Sequence, residues 1–155
     1  LRHNMAEQVI FKGPPKEEYY KQFEAQSAPF MFMPIVKNID DIVPAESADI
    51  NLVGFELIFE DLSSPLAERA LINRLRAEGK MLWVNALNLS YTKKLCGGYD
   101  DNKSLLEGPD KGWGELIKHG FNAIQTDWPA AMYNYLEKKG FRETNLDTDA
   151  GLPAR

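Results

Sequence analysis

Five short apolar runs, none alternating cleanly with polar residues, set the strongest limit on what this chain can fold into. They occupy residues 8–12 (QVIFK), 30–36 (FMFMPIV), 52–59 (LVGFELIF), 81–86 (MLWVNA) and 121–126 (FNAIQT). Each has strand length and is rich in branched or aromatic side chains. Strands that are apolar throughout belong in a parallel sheet covered on both faces, because a half-solvated antiparallel sheet would show period-two patterning. Amphipathic stretches fill the gaps. Ser64 is placed to cap a helix with Pro65 in its first turn and Gly79 at its end, carrying Leu66, Ala67, Ala70, Leu71 and Leu75 on one face. Asp127 and Pro129 open a similar helix that Gly140 closes, and residues 15–26 and 111–119 form two more. Pro44 limits residues 38–49 to a short or broken helix. Residues 87–110 read as a long polar segment, and a polar tail at 143–155 follows the single domain at 1–142.

The resulting order is five β/α units, which right-handed crossovers turn into a parallel sheet. Two architectures use that order. A five-stranded doubly wound sheet fits the length directly. A β/α barrel of about 250 residues uses roughly 31 per unit, so 155 residues amount to about five of its eight units.

Composition removes several functional classes. The net charge of -5 opposes general nucleic-acid binding, which needs an excess of Lys and Arg. The single cysteine, Cys96, makes neither an internal disulfide nor a multi-cysteine zinc site, and lacks the basic neighbours that would activate it. No apolar stretch is long enough to cross a membrane as a helix. No phosphate-cradling glycine loop, nucleophile elbow or metalloprotease motif occurs.

Candidate site residues follow from alternation along the strands. Phe55, Leu57 and Phe59 oppose Gly54, Glu56 and Ile58. Leu82 and Val84 oppose Trp83 and Asn85, Val9 and Phe11 oppose Lys12, and Ile124 opposes Gln125 and Asp127. One face therefore gathers Lys12, Glu56, Trp83, Asn85 and Asp127 toward the C-terminal strand ends, where parallel α/β proteins bind ligands. Glu56 is the sharpest of these, since a buried carboxylate must be paired; it serves either a site or a structural ion pair with Lys12. Lys12 is equally readable as a solvated strand-end lysine, Trp83 as core, and Asp127 as a helix cap. Asp100 and Asp101 read as solvated charge rather than metal ligands, and His119 as a partner of a helix C-terminus.

The segment GFNAIQTDWP at 120–129 resembles the last strand of the glycerophosphodiester phosphodiesterase family, an apolar strand followed by Thr-Asp, one variable residue and Pro. Thr126, Asp127 and Pro129 match that pattern. About forty residues earlier, MLWVN at 81–85 resembles the penultimate strand, which runs into Trp-Thr-Val-Asn. Trp83 matches, Val84 replaces the Thr, and Asn85 falls one residue early. The resemblance implies an incomplete TIM-type (β/α) barrel comprising strands four to eight, and metal-assisted hydrolysis of phosphodiesters to glycerol phosphate and an alcohol. The family's His-Arg-Gly and Glu-x-Asp strands and its further histidine do not occur here, and Lys12 stands where the family has small or aromatic residues.

The chain is thus expected to contribute substrate-binding residues but no catalytic ones. Calcium or magnesium is expected in the complete enzyme and none in this segment alone. The expected partner is a small phosphodiester, and the open barrel edges offer a route to self-association. The sequence leaves the compartment open, and the resemblance is compatible with a periplasmic or secreted complete protein. The alternative is a non-catalytic ligand-binding module, either a doubly wound sheet or a silent barrel homologue.

Overall fold

A computed structural model describes residues 8–88 and 93–141. Residues 1–7, 89–92 and 142–155, which include the polar tail, lie outside that description. The strands are β1 (Ile10–Gly13), β2 (Met31–Val36), β3 (Asn51–Leu52), β4 (Gly54–Leu57), β5 (Met81–Asn85) and β6 (Ala123–Gln125). All pair in parallel, in the order β1-β2-β4-β5-β6, with β3 also on β2. Because β3 and β4 run end to end along β2, five strand positions follow one another in chain order. The order does not reverse about a central strand, as a doubly wound sheet requires.

The helices are α1 (Glu17–Glu24), α2 (Ile42–Ser47), α3 (Arg69–Ala77), α4 (Asp101–Leu106), α5 (Trp113–His119) and α6 (Pro129–Lys139). Ser64 does act as a cap, but of a 3-10 turn at Pro65–Ala67 that precedes α3; its Oγ accepts from Leu66 N at 3.3 Å. The segment containing Pro44 is broken as expected, into a 3-10 turn at Ile39–Asp41 and the short α2. Helix α4 lies in a stretch whose polarity reads as loop. Asp100 caps it, accepting from Lys103 N at 2.9 Å, and Asp101 and Ser104 are buried beneath it.

One buried cluster joins the sheet to the helices. From the strands it takes Phe32, Val36, Phe55, Leu57, Leu82 and Val84, all on one face; from the helices it takes side chains of every one except α4. The other face carries Lys12, Met33, Ile35, Glu56, Trp83 and Asn85, as the register pairs Lys12↔Met33, Ile35↔Glu56 and Glu56↔Trp83 show.

A one-residue shift between β3 and β4 sets which face Glu56 joins. Phe32 pairs with Leu52, whereas Ile35 pairs with Glu56, so one extra residue is accommodated around Val53. Such a bulge re-aims every side chain that follows it. Leu52 and Phe55 consequently both pack toward the helices, although strict alternation would place them on opposite faces, and Glu56 turns to the helix-free side. Gly54 occupies the tight point: a Cβ there would overlap the Met81 carbonyl.

Candidate functional site

Four of the five sequence-derived candidates meet on the helix-free face. The Lys12 ammonium lies 2.9 Å from Glu56 Oε2 and 4.2 Å from the centroid of the Trp83 ring. Asn85 Nδ2 donates to Glu56 Oε1 at 2.6 Å, and Trp83 Nε1 donates to Asn85 Oδ1 at 3.0 Å. Lys12, Glu56, Asn85 and Trp83 thus form a closed ring drawn from β1, β4 and β5. In the register only Glu56 and Trp83 stand level; Lys12 reaches across β2 from the level of Met33, and Asn85 lies two residues beyond Trp83 on the same face of β5.

The ring's electrostatics are uneven. Glu56 and Asn85 are buried, at 5% and 6% exposure, and the Lys12 side chain is 31% exposed. The carboxylate is therefore desolvated while its cation still reaches water, which makes Lys12 and Asn85 its compensation. Glu56 Oε2 nonetheless accepts no aligned hydrogen bond; Lys12 meets it as a charge, off the direction a hydrogen bond needs. Both Glu56 and Asn85 border a cleft of about 590 Å³ that also involves Lys37, Ser64, Lys93 and Lys94, a size typical of small-molecule sites. Lys37 follows β2, Ser64 follows β4 and the paired lysines follow β5, so the cleft opens at the C-terminal strand ends. A larger cleft of about 660 Å³ lies elsewhere, beside Glu46, Arg74 and Lys80. Its cations are already committed: Arg74 to Glu46 and Glu78, Lys80 to the Leu52 carbonyl.

Asp127 does not join the ring, and it does not cap α6. Trp128 holds the cap position without a side-chain bond, and the Asp127 backbone N–H donates to Asp101 Oδ2 at 2.8 Å. The Asp127 side chain is exposed. Reading Asp101 as solvated charge is also corrected. It is 2% exposed, and its Oδ1 accepts from Trp113 Nε1 at 2.8 Å and from Thr126 Oγ1 at 2.7 Å. Two of the four residues that resemble the Thr-Asp-x-Pro motif are thus held by one buried carboxylate. No local signal marks Asp101, because its donors lie 12, 25 and 26 residues away.

His119 contacts the Ala67 carbonyl through Nε2 and stacks on Phe121, so it ties α5 to the turn before α3. Cys96 is buried, and burial pushes its thiol up to about 12. Among the described residues no three His, Cys, Asp or Glu side chains converge as metal ligands. The ring does not fit a metal either: Glu56 is engaged by Lys12 and Asn85, and the ring's remaining members are an amide and an indole. No helix among the described residues is long and apolar enough to cross a membrane.

Fold and site together define an α/β protein with a parallel sheet and a polar cleft at the C-terminal strand ends. Residues 32–136 match the model of the DUF4996 family, described as a domain of unknown function, and the chain belongs to that family. No curated protein matches the chain.

Proposed function

We propose that this chain is the C-terminal portion, strands four to eight, of an incomplete TIM-type barrel resembling the glycerophosphodiester phosphodiesterases, and that it supplies the substrate-binding side of their site. The observation that carries the reading is the convergence of Lys12, Glu56, Asn85 and Trp83 on the helix-free face of a sequentially ordered parallel sheet. In a closed barrel that face becomes the interior, and its C-terminal rim becomes the site. Lys12 offsets phosphate charge, Asn85 donates to a substrate oxygen through its second N–H, and Glu56 fixes both by holding the ammonium and the amide. Residues outside this chain would hold the divalent ion, calcium or magnesium, whose role is to polarise the phosphoryl oxygen; the catalytic acid and base would lie there too.

The test uses the chain as it stands. Titration with glycerophosphocholine, followed by NMR, should shift the Trp83 indole N–H and the Asn85 side-chain amide. Lys12→Met should abolish those shifts, and no hydrolysis should accompany binding in millimolar calcium or magnesium. Metal-dependent turnover above a buffer blank would contradict the division of labour, and absence of any shift at Trp83 and Asn85 would contradict the site.

A second reading, a silent binding domain, draws on the closure of the ring, in which the charge of Glu56 is already balanced. It predicts the same binding, but no turnover when the upstream units of the natural protein are present.

A further inference from the structure

The rim of the cleft carries charge that the ring does not use. Lys37, Lys93 and Lys94 are exposed around its mouth, and none is among the described ion pairs. Three carboxylates border the same space, and one of them is balanced within the ring. Glu56 is balanced by Lys12. Asp61 folds into its own turn, accepting from Ser63 N at 2.8 Å and from the Ser63 hydroxyl. Asp61 keeps its negative charge, so Glu60 and Asp61 together oppose three lysines, with Lys94 near enough to act on the Asp61 carboxylate. The floor differs in kind: the buried Glu56–Asn85 pair lines it, and a ligand hydroxyl could bond to the polar edge of that pair. Among the described residues, the aromatic surfaces at the cleft that could cradle a quaternary ammonium are also taken. Lys12 sits over the Trp83 ring, and Phe59 is buried and stacked on Phe121.

We infer that the cleft selects a polyol ligand bearing a second anionic group, with hydroxyls at the Glu56–Asn85 floor and the extra anion at the Lys37–Lys93–Lys94 rim. This rests on the phosphodiester reading and deepens it. The alcohol half of the substrate is anionic rather than a cationic choline or ethanolamine. Each exposed lysine contributes little alone, but three around one anion together separate such ligands by about tenfold or more.

The experiment compares two probes on the isotope-labelled chain by NMR titration: glycerophosphocholine, and glycerophosphoinositol 4-phosphate with its additional phosphomonoester. The expected result is a Kd about tenfold lower for the second probe, with shifts at both the lysine rim and the Trp83 indole. The triple variant Lys37→Gln, Lys93→Gln, Lys94→Gln should bring the two affinities within about twofold while leaving that for glycerophosphocholine unchanged. Because these side chains are exposed, the triple variant tests binding rather than folding. Equal or tighter binding of glycerophosphocholine, with Trp83 shifts, would overturn the anionic selection and leave the phosphodiester reading standing. Inorganic phosphate reproducing the full rim affinity without any change at Trp83 or Asn85 would reduce the rim to general anion attraction and overturn the inference. Failure of both organic probes to perturb Trp83 and Asn85 would overturn the underlying reading as well.

Discussion

Glu56 is the residue on which the ring depends, because burying its carboxylate is unfavourable unless its neighbours compensate. Removing Lys12 leaves that charge uncompensated. Lys12→Met is expected to destabilise the chain by roughly 3 kcal/mol, the low end for breaking a buried pair, since the lysine is partly solvated. Adding Glu56→Gln should recover much of the loss, because a neutral amide needs no counter-ion. Urea denaturation of the two single variants and the double variant reads the coupling directly. An additive double variant would show that the two side chains do not depend on each other. Cys96 gives a second residue-level expectation: its thiol, pushed up to about 12 by burial, should resist iodoacetamide at pH 8 in the folded chain and react on unfolding. Labelling at the same rate in both states would refute that environment.

At the scale of elements, two junctions position the site. The bulge between β3 and β4 depends on Gly54, where any Cβ meets the Met81 backbone. Gly54→Ala should therefore cost about 2–3 kcal/mol, as overpacking does, and should shift the Asn85 amide resonance by displacing Glu56. A silent substitution would argue against the tight approach. The second junction is Asp101, which fastens α4 to α5 and to the start of α6. Asp101→Ala strands three donors, each worth about 1–3 kcal/mol when left unsatisfied, so a loss of at least roughly 3 kcal/mol is expected, with accelerated hydrogen exchange at Asp127 N–H. A third contact gives a pH dependence. Asp110 accepts from Lys139 Nζ at 2.9 Å and from Tyr135 Oη at 2.8 Å, and these bonds, Lys139 first, hold its carboxyl below the ordinary value of 3.8. Its contribution is present above that value and fades as pH falls through the lower folded-state value. Asp110→Asn should flatten the acid limb of the stability curve, and an unchanged limb would assign the acid sensitivity to other carboxylates.

For the molecule as a whole, the sheet ends in two strands with one described neighbour each, β1 on β2 and β6 on β5. Unpaired edges recruit other chains, and the β1 end adds an exposed Phe11 beside Phe23 and Phe30. Dimers or larger species are therefore expected at high concentration, and Val9→Lys with Phe11→Lys should return the chain to a monomer, measured by light scattering. A monodisperse monomer of the unaltered chain at millimolar concentration would count against the incomplete-barrel reading.

Much of this was legible in the residues themselves. Continuous apolar runs predicted parallel strands, and alternation within each run placed Lys12, Glu56, Trp83 and Asn85 on one face, because side-chain direction along a strand is a local property. Local order could not choose between two parallel architectures; the pairing partners give a sequential strand order without reversal, and pairing is set by contacts between distant segments. Leu52 shows the limit of alternation, since the bulge that turns it toward the helices lies beside Gly54, where the Met81 backbone of β5 comes close. Asp101 shows the limit of composition: a polar residue in a polar stretch became the most heavily hydrogen-bonded carboxylate described here only when Trp113, Thr126 and Asp127 were brought to it. Asp127 lost its capping role in the same step, as its backbone was drawn to that carboxylate and Trp128 took the cap position. Short-range patterning determined which side chains faced which way, and only the tertiary packing decided which of them met.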